Sequence, residues 1–112
     1  MAITFVNNAA TIGATEYSLP ANSTTLAAQT DDCVLQVWID FDAMAAGDEY
    51  RIRVYEKINA GTARTVIDTR VSGDQSTPWV SPSLIVGDGW DVTVQKISGT
   101  DRSIPWSLRK LT

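Results

Sequence analysis

The stretch that decides the fold is residues 32–58: D-C-V-L-Q-V-W-I-D-F-D, then A-M-A-A-G, then D-E-Y-R-I-R-V-Y-E-K-I. In its first half Leu35, Val37, Ile39 and Phe41 fall at every second position, with Gln36, Asp40 and Asp42 between them. In its second half Tyr50, Ile52 and Val54 oppose Arg51, Arg53, Tyr55 and Lys57. Successive side chains of an extended chain point to opposite faces, so a period of two marks a strand with one buried face. The connection between the halves, residues 43–47, is too short for an independent helix. The segment therefore predicts a central antiparallel hairpin. Its polar face would set Arg51 and Arg53 across from Asp40 and Asp42.

Outward from this segment the same signals recur. Residues 64–71, R-T-V-I-D-T-R-V, predict a third clear strand, in which Val66 competes with Ile67 and Val71 for the inward face. Residues 90–97 alternate Trp90, Val92 and Val94 against Asp91, Thr93 and Gln95, and the chain ends with Ile104, Trp106 and Leu108 on one face. Between them, residues 77–86 carry Pro78 and Pro82. Proline cannot donate to a ladder, so this piece reads as an edge strand or an irregular crossover.

Towards the N-terminus, residues 3–6 read as a short first strand or, taken over 1–12, as an extended N-terminal arm. Residues 7–13 are small and polar and suit a loop, 15–19 a short strand stopped by Pro20, and 21–30 an uncharged, threonine-rich connection over the surface. Roughly six to eight short strands, with turn signals about every 8–12 residues, point to an all-β fold. The expectation is one domain over residues 1–112, a single antiparallel β-sandwich or jelly-roll-like small barrel with short loops.

Composition narrows the chemistry. A chain of 112 residues with 44% apolar content can bury one core. Its net charge of −4 and scattered basic residues speak against a protein that tracks nucleic-acid phosphates. No apolar run reaches the roughly 20 residues of a membrane-spanning helix, and no membrane partner is expected. The N-terminus has neither a basic region nor a long apolar run of the signal-peptide type, so synthesis and folding in a cytoplasm are expected. The single cysteine, Cys33, rules out an intramolecular disulfide and a structural thiolate metal site, and it reads as a small, partly buried hydrophobe. With no histidine, the usual triads and imidazole metal sites are also missing. Acidic residues cluster around the 43–47 connection, but no spacing matches a calcium loop or an acid–base pair. An enzyme is not expected, nor a cofactor.

Aromatic residues carry the remaining signal. Trp38, Trp79, Trp90 and Trp106 all fall in predicted strands, and Trp38 and Tyr55 sit on the nominally polar side of the hairpin. Large rings in such places bury area at low entropic cost when a partner covers them. The interface residues expected on this reading are Ile3, Phe5, Trp38, Tyr55 and Trp79. Exposed rings on a β-sandwich also suit sugar stacking, so a carbohydrate-binding module is the alternative.

The last quarter of the chain resembles a known family. Residues 79–84, W-V-S-P-S-L, are followed by G-W-D-V-T-V at 89–94 and by S-G-T-D-R-S-I-P-W-S-L-R at 98–109. With S-L-P-A-N-S-T-T-L-A at 18–27 and A-G-D at 46–48, the pattern resembles small proteins of about this length from tailed bacteriophages and prophages. Its motifs, W-x-S-P and S-G-T-x-R-x-I-P-W, are structural and contain no catalytic residue. The resemblance implies a virion protein made in the host bacterial cytoplasm, a capsid cement or decoration protein. Its implied partners are the major capsid protein and further copies of itself, as a dimer or trimer. A tail or head–tail connector component is the variant of this reading.

Overall fold

The computed structural model describes residues 2–112. Nine strands follow in chain order: β1 (Ile3–Ile12), β2 (Tyr17–Ser18), β3 (Cys33–Ile39), β4 (Glu49–Glu56), β5 (Arg64–Ser72), β6 (Trp79–Val80), β7 (Leu84–Val86), β8 (Asp91–Ser98) and β9 (Arg102–Leu111). They form two antiparallel sheets. One has the order β1-β9-β3-β6, with β7 also on β3; the other has the order β2-β8-β4-β5. The two pack face to face as a β-sandwich.

The alternation read from the sequence places the core. Leu35, Val37, Ile39, Ile104 and Leu108 of the five-stranded sheet face Tyr50, Ile52, Val54, Val92 and Val94 of the four-stranded one, and all are buried. Each fully buried side chain of this size contributes roughly 1.5–3 kcal/mol. Tyr50 reaches across the sandwich: its hydroxyl donates to the Ile12 carbonyl at 2.8 Å and accepts the Arg102 N–H at 2.9 Å. Trp90 lies fully buried just before β8, and its indole N–H donates to the Asp31 carbonyl. Cys33 is buried too, and burial raises its thiol pKa.

The central hairpin does not form. β3 lies in one sheet and β4 in the other, so residues 40–48 cross between layers. β3 pairs instead with β9, and β4 with β5 and β8. A strand with one apolar face alternates in the same way whether its successor lies beside it or opposite it, so the pattern could not decide between them. The pairing of Asp40 and Asp42 with Arg51 and Arg53 fails for the same reason. Asp40 instead accepts the Asp42 N–H in a local turn.

The N-terminal segment also differs from expectation. β1 is a ten-residue strand paired with β9 from Ile3 opposite Leu111 to Ile12 opposite Arg102. It replaces both the short strand, or arm, and the loop expected over 7–13. The proline-bearing segment does lie at a sheet margin, as β6 and β7. Between them the Ser81 N–H donates to the Val37 carbonyl and the Ser81 hydroxyl accepts the Val37 N–H, which mends the β3 ladder where Pro82 interrupts it. In β5 a bulge opposite Val54 and Tyr55 resolves the competition: Ile67 and Val71 pack on the core and Val66 is exposed.

Candidate functional site

The two outer faces of the sandwich differ in chemistry. The outer face of the four-stranded sheet is closed by charge. Arg51 makes a bidentate contact to Asp68, Arg70 reaches Glu49 at 3.2 Å, and Arg53 lies 3.5 Å from Glu16. Tyr55 belongs to this network. Its hydroxyl donates to the Glu16 carboxylate at 2.6 Å, and burial followed by that bond raises its pKa. Asp91 lies at the edge of the same face, 6% exposed, and accepts from the Ser18 hydroxyl at 2.7 Å. Burial pushes its carboxyl up to about 6 against the lowering effect of its hydrogen bonds.

The outer face of the five-stranded sheet is apolar. Strand register sets its side chains in rows. Ile3, Leu111, Val34 and Ile85 stand side by side across β1, β9, β3 and β7. The next row holds Phe5, Arg109 and Gln36, and the next Asn7, Ser107, Trp38 and Val80. Ile3 and Phe5 are each 53% exposed and Ile85 is 88% exposed. Eight large apolar side chains are exposed among the described residues, and Ile3, Phe5, Val80 and Ile85 bring four of them to this one face. Ile3, Phe5, Val34, Gln36, Arg109 and Leu111 border a groove of ≈ 360 Å³.

Arg109 carries the charge in these rows, and it lies between aromatic rings. Its guanidinium carbon is 4.1 Å from the Trp38 ring centroid and 5.1 Å from that of Phe5. The Trp38 indole N–H donates to the Gln36 side-chain oxygen at 3.0 Å, and the Gln36 amide donates to the Ser81 carbonyl at 3.0 Å. The ring and the amide are thereby fixed by side-chain hydrogen bonds. Covering such a surface would desolvate few charges.

Three of the five expected interface residues meet here: Ile3, Phe5 and Trp38. Tyr55 stands on the opposite face of the sandwich, tied into the ion-pair network. Trp79 lies opposite Ile39 on the inward side and packs against the core. Neither is placed to join the other three, so no shared platform of Trp38, Tyr55 and Trp79 exists. Sequence reading missed Val34, Ile85, Arg109 and Leu111. Their signal was present in the outward phase of their strands, but it needed the strand order to become a surface. Among the described residues no group of three or more Asp, Glu or Cys side chains converges to hold a metal ion. No protein-family model, curated protein or solved structure matches the chain.

Proposed function

We propose that the chain is a non-enzymatic structural protein of a bacteriophage virion, which decorates or cements the capsid shell through the outer face of its five-stranded sheet. One observation carries the docking half of this reading. Apolar side chains from β1, β9, β3, β6 and β7 line one face, while the opposite face is closed by ion pairs. Exposed apolar patches on soluble domains mark contact sites. The capsid as partner comes from the resemblance of residues 79–109 to small phage and prophage proteins. The major capsid protein is then the surface that covers the face. A tail or head–tail connector location would use the same face at a lower copy number.

The carbohydrate-binding alternative has less support. A sugar platform needs bare, coplanar rings. Trp38 has Arg109 over its face, and Trp79 faces the core.

The reading is tested by adding purified chain to shells that lack it and sedimenting the mixture. Saturable co-sedimentation that is lost on Ile85→Asp supports it. Absence of binding, or binding unchanged by Ile85→Asp, contradicts it.

A further inference from the structure

We infer that two copies of this chain join edge to edge through β1, antiparallel about a two-fold axis at Asn7, so that their five-stranded sheets become one continuous sheet. The inference is independent of the capsid reading: it concerns the isolated protein.

The two sheets have four margins. Long, flat, uncharged edges are templates for strand pairing, and folded proteins usually block them. The four-stranded sheet ends on β2, which has only two residues, and on β5, which carries Arg64, Asp68 and Arg70 and a bulge. The far margin of the five-stranded sheet is broken into β6 and β7 around Pro82. β1 has none of these protections. Its ten residues, I-T-F-V-N-N-A-A-T-I, include no charge and no proline, and its pairing with β9 shows no register shift.

The hydrogen-bond phase of that edge can be read directly. Ala2 and Thr112 exchange both backbone bonds, which makes them a hydrogen-bonded pair. In an antiparallel ladder such pairs alternate, so Thr4, Val6, Asn8 and Ala10 point their backbone groups at β9. Ile3, Phe5, Asn7, Ala9 and Thr11 point theirs outward. Two details agree. The Ala9 N–H is met by the Asn8 side-chain oxygen at 3.1 Å, as an amide free of the ladder would be. Pro105 stands opposite Ala9, where β1 makes no demand for its missing N–H.

A two-fold axis perpendicular to the sheet keeps like faces together, so residues opposite one another must share parity. Centring it on Asn7 sets Ile3 against Thr11, Phe5 against Ala9 and Asn7 against its own copy. Every outward-pointing backbone group of Ile3 to Thr11 then finds a partner, in about ten hydrogen bonds. The opposed side chains are large against small, with Phe5 over Ala9, and the pairing opposes no charges. Beyond Thr11 the edge closes, because the Gly13 carbonyl accepts the Lys96 N–H of β8. The free edge is therefore as long as the self-pairing it supports. Both apolar outer faces end on the same side of the joined sheet.

The test uses the intact chain. Sedimentation equilibrium is run on the wild type and on Asn7→Pro, together with amide hydrogen exchange at low and high protein concentration. Proline at this position removes an outward N–H and leaves the β9 ladder complete. The expected result is a wild-type dimer whose dissociation constant rises by roughly 100-fold or more in Asn7→Pro. At low concentration Phe5 and Asn7 amides exchange fast while Val6 and Asn8 are protected; at high concentration Phe5, Asn7 and Thr11 become protected too. A wild-type monomer at about 1 mM overturns the proposal, as does a folded Asn7→Pro chain that dimerises normally. If Asn7→Pro does not fold, the exchange pattern of the wild type decides: a dimer with Phe5 and Asn7 still fast contradicts the interface.

Discussion

The Arg109 guanidinium lies 4.1 Å over the ring of Trp38. The two residues sit one row apart on neighbouring strands, since Trp38 is opposite Ser107 in the β3–β9 register. Their contact crosses the sheet diagonally, within reach of long side chains. It sets the charge of an otherwise apolar face against an aromatic ring.

The worth of this contact is measurable. Partly exposed cation–π pairs contribute about 0.5–1 kcal/mol. A double-mutant cycle on Trp38→Ala and Arg109→Ala, followed by chemical denaturation, is expected to give a coupling energy of that size. Arg109→Lys should recover less than half of it, because an ammonium cannot stack its plane on the ring. Zero coupling would mean that the stacking adds nothing to the fold.

Asp91 gives the molecule a pH dependence of definite sign. Its folded pKa, about 6, lies above the usual carboxylate value of 3.8 because of burial. The folded protein therefore keeps a proton that the unfolded chain has already lost. Stability falls as pH rises from about 4 to about 6, by about 3 kcal/mol for this group alone, and is flat in this respect above that. Asp91→Asn keeps an oxygen to accept from Ser18 and Val92, which donate to the same carboxylate oxygen. The variant should be more stable than the wild type at pH 8, and the difference should vanish at pH 4. Urea denaturation at the two pH values checks this.

Asp48 has the opposite sign. Its side chain accepts N–H bonds from Thr100 and Ala45, each at 2.9 Å, and an ion-paired bond from Arg102 at 2.7 Å. In that order these hold its carboxyl down at about 2. The stabilisation is complete above pH 4 and is lost as pH falls towards 2. Asp48→Ala should lower the melting temperature at pH 7 and remove the acid-side loss between pH 4 and 2. Gly99→Ala should act in the same direction, because a β-carbon there would clash with the Asp48 carboxylate oxygen and Gly99 has a φ of +92°. Thermal melts of both variants at pH 7 test the pair.

Much of this fold is written in local pattern. The strands at 33–39, 49–56, 64–72, 91–98 and 102–111 follow the alternation of apolar residues, and Pro78 and Pro82 mark the broken margin. Alternation reports which face of a strand is buried and is silent on which strand lies beside it. That silence turned two strands of different sheets into an expected hairpin, and it sent Tyr55 to the face of Trp38 when it belongs to the other side. β1 was hidden for another reason. An edge strand has one ladder and, here, one open face, so Asn7, Asn8 and Ala9 satisfy it while reading as loop residues. The apolar outer face itself needed strand order, since Ile3, Leu111, Val34 and Ile85 come from four separate parts of the chain.

The proposed capsid role is tested most directly by the copy number of this chain in phage particles purified from a bacterial host that expresses it. Quantitative mass spectrometry would compare the wild type with Val80→Asp, Ile85→Asp, a double variant on the margin far from β1. Both positions are exposed, so its melting temperature should stay close to that of the wild type. Wild-type chain is expected at a copy number set by the shell lattice, and particles bare of the double variant. Particles without wild-type chain, or particles that take up the double variant equally well, would contradict it.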